Sequence, residues 1–103
     1  MMQVTFSLEA RADLREIALR IADHNRVRAF SFVDEIEARC LRIGEFPHAG
    51  PPRPQWGKDI RIAIHAKYII VYRVRDGAVQ VLRVVHGARD LDALFAREPL
   101  PDD

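Results

Sequence analysis

The sequence has little with which to cross-link or anchor itself. Cys40 is the single cysteine among 103 residues, so no disulfide forms within the chain and no cysteine cluster for zinc is available. No stretch reaches the roughly 18 apolar residues of a membrane-spanning helix. The start MMQVTFSLEA lacks the basic-then-apolar layout of a secretory signal. The expected location is the cytoplasm. Glycine numbers only five and aromatics 8%, which excludes collagen-like and low-complexity chains. What is present, 49% hydrophobic against 30% charged residues, is the balance of a folded globular protein. At this length folding buries roughly 65% of the surface of the unfolded chain, enough for one core. The expectation is one domain over residues 1–96 and an acidic, proline-containing tail over 97–103.

Charge is segregated along the chain although its net value is only +1. Residues 1–50 carry 7 basic and 8 acidic groups, whereas residues 51–89 carry 8 basic groups against Asp59 and Asp76 alone. The segment from Asp90 onward reverses sign, with 5 acidic groups and 1 basic. A basic block of this kind faces an anionic partner, either nucleic acid or an acidic protein surface. Fourteen of the 16 cations are arginine, whose planar fork suits bidentate contacts with carboxylate or phosphate. The same bias also arises from a GC-rich coding sequence, so composition alone does not choose.

Periodicity gives the element order. Val4 and Phe6 alternate with polar neighbours over residues 2–7, a short strand. Ser7 reads as an N-cap for a helix over 8–23, whose apolar stripe is Leu14, Ile17, Ala18 and Ile21. Asn25 caps a second helix with a stripe through Phe32, Ile36, Cys40 and Ile43, ended by Gly44 and Pro47. The short turn between them predicts an antiparallel helical hairpin. Four prolines and two glycines over 47–59 make that segment a loop. Strands follow at 60–65, 68–74 and 79–85, the last two joined by a hairpin turn at Arg75-Asp76-Gly77-Ala78. The face taken by Arg83 depends on that turn and stays open. A short helix at 90–96 precedes Pro99 and Pro101. The fold class is therefore α+β, a helical hairpin packed on an antiparallel sheet.

The run Tyr68-x-x-x-Tyr72-Arg73-Val74, followed by Leu82-Arg83-Val84-Val85-His86-Gly87-Ala88-Arg89-Asp90-Leu91, resembles the ParE branch of the RelE/ParE superfamily, toxins of type II toxin-antitoxin modules. Ala12-Asp13-Leu14-x-x-Ile17 and Phe46-Pro47-x-x-Gly50-x-Pro52 extend the resemblance, which covers about Val4 to Leu94. It implies a β-α-α-β-β-β order with a short final helix. It also implies a toxin that binds and poisons DNA gyrase, held silent in a hetero-oligomer by a ParD-like antitoxin, without cofactor, metal, membrane or sequence-specific nucleic acid. The other branch, RelE-like, cleaves ribosome-bound mRNA with basic residues on the sheet and a tyrosine in the last helix. This chain keeps Arg61 and Arg89 of that pattern but carries Ala63, Ile69 and Phe95 where two bases and the tyrosine stand. Losing these groups removes the chemistry of RNA cleavage, so the expected catalytic set is none. If the chain is a nuclease, Arg61, Arg89 and His86 carry the activity. A third alternative is an antitoxin-binding module without toxicity.

For partner binding the candidates are Arg61, Arg73, Arg83, His86, Arg89, Asp90 and Trp56. The four arginines are expected to flank an apolar groove between hairpin and sheet that receives an acidic amphipathic segment. Asp90 either works with His86 as an acid-base group or caps the last helix and pairs with an arginine. Trp56 is either a partner anchor on a loop or a lid folded back on the sheet. Tyr68 and Tyr72 are read as core or rim residues, and Cys40 as an inert buried thiol. The four histidines have no helical i, i+3 or i, i+4 pairing that would hold a metal.

Overall fold

The computed structural model describes residues 1–102. Strand β1 (Gln3–Phe6) leads into α1 (Leu8–Ala22) and α2 (Arg26–Glu45), a helical hairpin; β2 (Ile60–His65), β3 (Tyr68–Arg75), β4 (Ala78–His86) and α3 (Leu91–Arg97) follow a proline-rich loop. The caps read from sequence are made. Ser7 Oγ accepts the Ala10 N–H at 3.0 Å and donates to Leu82 O at 2.8 Å, tying the start of α1 to β4. Asn25 Oδ1 accepts the Arg28 N–H at 3.0 Å.

The sheet order is β1-β4-β3-β2, with β2–β3 and β3–β4 antiparallel and β1 parallel to β4. The β3–β4 turn places Asp76 at φ 54° and Gly77 at φ 74°, the doubly left-handed geometry whose twist matches the flanking strands. Both faces of the central strands are covered. On one side Ala63, Ile70, Tyr72, Val81 and Val84 pack under the hairpin with Phe32, Ile36 and Cys40. On the other, Ile62, Val71, Leu82 and Val85 pack under α3 through Leu91, Leu94 and Phe95. This two-sided burial explains why β3 and β4 read as nearly continuous apolar runs. Leu100, in the segment expected to be a tail, is buried in the second cluster.

A bulge settles the side taken by Arg83. Val71 pairs with Arg83 but Tyr72 with Val81, leaving Leu82 as an extra residue that locally kinks β4. Beyond Val81 the β1 ladder has ended, and Arg83 turns over that edge to Asp13 on α1. Asp13 accepts Arg83 Nε at 2.7 Å, Arg83 Nη2 at 3.1 Å and the Val84 N–H at 2.9 Å. One buried carboxylate thus closes the uncovered part of the β4 edge as a neighbouring strand would. Its hydrogen bond to Arg83 holds that guanidinium more firmly protonated than usual.

Candidate functional site

The opposite edge of the sheet is where a surface opens. A groove of about 540 Å³ runs between the C-terminal half of α2, the loop around Phe46–Pro51 and β2. Its floor is apolar, from Ile43, Ala63 and Tyr72, and its cations are Arg39 and Arg42. No carboxylate lines it. Helical spacing explains the arrangement: Cys40, Ile43 and Gly44 turn into the core, so residues 39 and 42 flank that buried stripe. Phe46 and Ile64 stand at its borders, 61% and 60% exposed.

The loop covers only half of the β2 edge. Arg53 N–H donates to Ile60 O at 2.8 Å and Ile62 N–H to Pro51 O at 3.1 Å, so residues 51–53 act as a short added strand. At Ile64 that pairing has stopped, and Arg39 Nε donates to Ile64 O at 3.2 Å. The loop is pinned from beneath. Tyr72 Oη donates to Pro47 O at 2.9 Å, and Arg61 Nη1 to Gly50 O at 2.7 Å and His48 O at 3.1 Å. Burial pushes the Tyr72 phenol above its ordinary pKa, keeping it a neutral donor. Only glycine fits at position 50, since a Cβ there would stand 2.2 Å from Ile62 O and 2.4 Å from Tyr72 Oη.

The expected ring of four arginines around one groove is corrected by the fold. Arg73 is 1% exposed and donates from Nε to Lys58 O at 3.1 Å; both faces of β3 are covered, so it ends inside the protein. Arg83 is committed to Asp13, with Glu98 as a second, more exposed partner at 3.3 Å. Arg61 lies outside the groove's lining and spends its guanidinium on loop carbonyls. Arg89 is exposed at the turn leaving β4. The groove's own cations, Arg39 and Arg42, do not stand out in the sequence because they belong to the first half of the chain, whose charges nearly cancel. The signal was present as an i, i+3 arginine pair beside a buried stripe and an exposed Phe46.

Trp56 takes the lid position. Its Nε1 donates to Asp92 at 2.6 Å and its ring meets Phe95 edge-on at a centroid distance of 5.0 Å. Asp90 caps α3 by accepting the Ala93 N–H at 3.1 Å. Among the described residues it makes no hydrogen bond to His86. The His86 ring packs edge-on against Tyr68 at 5.3 Å, and its Nδ1 accepts the Ala88 N–H at 3.1 Å. Arg61 and His86 do not converge. Arg61 pairs with Tyr72 and His86 with Tyr68, positions about 13 Å apart along β3. Among the described residues no three His, Cys, Asp or Glu side chains gather in a metal-binding arrangement, and no helix is long and apolar enough to cross a membrane.

This architecture has relatives. A chain of the chromosomal ParDE toxin-antitoxin system from P. aeruginosa superposes with a TM-score of 0.71, covering 84% of this chain and 96% of that one at 21% identity. At that identity the likeness is one of fold. No curated protein matches the chain. The family model of the ParE toxin of type II toxin-antitoxin system, parDE, matches residues 4–91, from β1 through the first residue of α3. With nearly every element inside that match, the chain belongs to the ParE toxin family of type II toxin-antitoxin systems.

Proposed function

We propose that this protein is a toxin that acts in the cytoplasm by binding and poisoning DNA gyrase, without turnover, and is neutralised by a ParD-like antitoxin seated in the Arg39–Arg42 groove. The observation that carries the antitoxin site is the pairing of an apolar floor with two cations, no carboxylate and a strand edge only half covered. An acidic amphipathic segment that is disordered when free fits each feature. Its apolar side chains fill the trough, its carboxylates meet Arg39 and Arg42, and its backbone adds to β2 once Arg39 leaves Ile64 O. Ordering such a segment costs several kcal/mol, so apolar contact supplies the affinity and the arginines the register and association rate.

A binding mode without chemistry is supported by what surrounds the nuclease positions. Ala63 lies under the helical hairpin, while Ile69 and Phe95 belong to the cluster under α3. They are on opposite faces of the sheet, each among apolar neighbours. Arg61, Arg89 and His86 are left without a common centre for a phosphorane-like charge. Calorimetric titration with the cognate antitoxin tests the docking site. Arg39→Glu/Arg42→Glu should weaken binding about 100-fold through charge reversal at the groove, with the fold intact by circular dichroism. Unchanged affinity would move the antitoxin elsewhere.

A further inference from the structure

The outer face of the helical hairpin, turned away from the sheet, carries a second groove. It is about 500 Å³ in volume and unrelated to the Arg39–Arg42 site. Its trough is made of small residues, Ala18 and Ala22 of α1 and Ala29 of α2, and is bordered by Leu19 and Phe30. These two large side chains are 61% and 77% exposed, an unusual placement for an apolar pair on one face. The charges differ from those of the other groove. Because α1 and α2 run antiparallel around the turn at residues 23–25, Arg26 lies at the turn end of the trough, whereas Asp34 and Arg15 lie at the far end. Among the described residues, none of these three side chains makes an ion pair or side-chain hydrogen bond within the chain.

A surface with a protruding aromatic beside a trough of alanines, with Arg26 at one end and Asp34 beside Arg15 at the other, brings each Arg26 to the partner's carboxylate when turned by 180°. We infer that this face binds a second copy of the chain as an isologous dimer. Phe30 of each protomer fills the Ala18–Ala22 trough of its partner, and each Arg26 meets the other's Asp34, which then sits between two arginines. Alanine at the floor lets the two hairpins approach closely, and the aromatic knob is the residue type that dominates such contacts. The groove beside β2, with Arg39 and Arg42 and no carboxylate, is the better complement for an acidic partner segment, because this face also presents Asp34. The inference is independent of the target assigned above.

Sedimentation equilibrium of the antitoxin-free chain across 5 to 500 µM, concentrations of roughly the range where small apolar interfaces associate, tests it. The chain should show a reversible monomer-dimer equilibrium. Phe30→Glu, at an exposed position and with the fold checked by circular dichroism, should weaken the dimer about 30-fold or more. Arg26→Asp and Asp34→Arg should each weaken it, and the double exchange should restore it. A chain that remains monomeric at the highest concentration would overturn the inference. So would a dimer indifferent to Phe30→Glu, or a double exchange no better than the single ones. Hydrogen-exchange protection of residues 18–34 that appears only with antitoxin, in a chain otherwise monomeric, would assign the groove to the antitoxin and equally overturn it.

Discussion

Replacing Asp13 with alanine should cost more than any other change to a charged side chain on α1. The carboxylate accepts three hydrogen bonds, two from Arg83 and one from the Val84 N–H. The side chains of Arg83 and Asp13 are only 12% and 11% exposed. Alanine strands a buried guanidinium and a backbone donor together. Breaking a buried pair from one side costs about 3–5 kcal/mol, and an orphaned backbone N–H about 1–3 kcal/mol. Glu98 remains near Arg83 Nη1 at 3.3 Å, but it is 56% exposed and offsets little. Because both side chains keep about a tenth of their surface exposed, water re-solvates part of the gap and the net loss is about 3 kcal/mol, a large share of the roughly 5–15 kcal/mol that holds a domain together. In urea, with a slope of about 1.3 kcal/mol per molar, the midpoint should fall by about 2 M at unchanged slope. Asp13→Asn, which keeps an acceptor for Val84, should fall between. Asp13→Leu/Arg83→Met should recover much of the loss, because removing both charges leaves neither one buried alone. A midpoint shift under about 0.5 M for Asp13→Ala would show that the pair is solvated and the reasoning wrong.

Further outcomes follow from the same geometry. Cys40 is fully buried and its thiol is pushed up to about 12 by burial, so alkylation at pH 8 should proceed only through global unfolding and match the urea-derived stability; fast labelling of the native protein would contradict the packing. Because the folded pKa lies above the ordinary 9.0, the stability due to the protonated thiol is complete below pH 9. It declines toward pH 12 with a slope of at most about 1.4 kcal/mol per pH unit, absent in Cys40→Ala. Glu35 is held below its usual range by hydrogen bonds from Arg28 and then His65. Its contribution is therefore present above about pH 4.5 and lost as pH falls through the depressed value, and being exposed it should shrink in high salt; a salt-insensitive acid limb in wild type but not Glu35→Gln would refute this. Gly50→Ala must displace the loop from Ile62 O and Tyr72 Oη, at about 1–3 kcal/mol, and should weaken antitoxin binding by reshaping the groove, both readable by denaturation and titration.

What the sequence shows of this fold, and what it hides, divides along physical lines. Ser7, Asn25 and Asp90 announce helix starts because capping is local, and Asp76-Gly77 announces the turn because its dihedrals are demanding. The parallel pairing of β1 with β4 is set by contacts more than 70 residues apart and leaves no local trace. The bulge at Leu82 likewise hides the side taken by Arg83. Arg73 counts as a surface cation by composition, yet two covered sheet faces place it in the interior. The converse error hid Arg39 and Arg42. Counting charge by block assigned the basic surface to residues 51–89, whereas three-dimensional packing drew it from a helix whose own block is nearly neutral.

Binding to gyrase is the proposed action of this ParE family member. Its most direct test is a supercoiling assay with purified gyrase, in which the chain is titrated alone and then premixed with its antitoxin, beside a ribosome-bound mRNA cleavage assay. The expected result is inhibited supercoiling or trapped cleaved DNA, relieved by antitoxin, with the mRNA intact. Cut mRNA with untouched gyrase would contradict it and return Arg61, Arg89 and His86 to an active site.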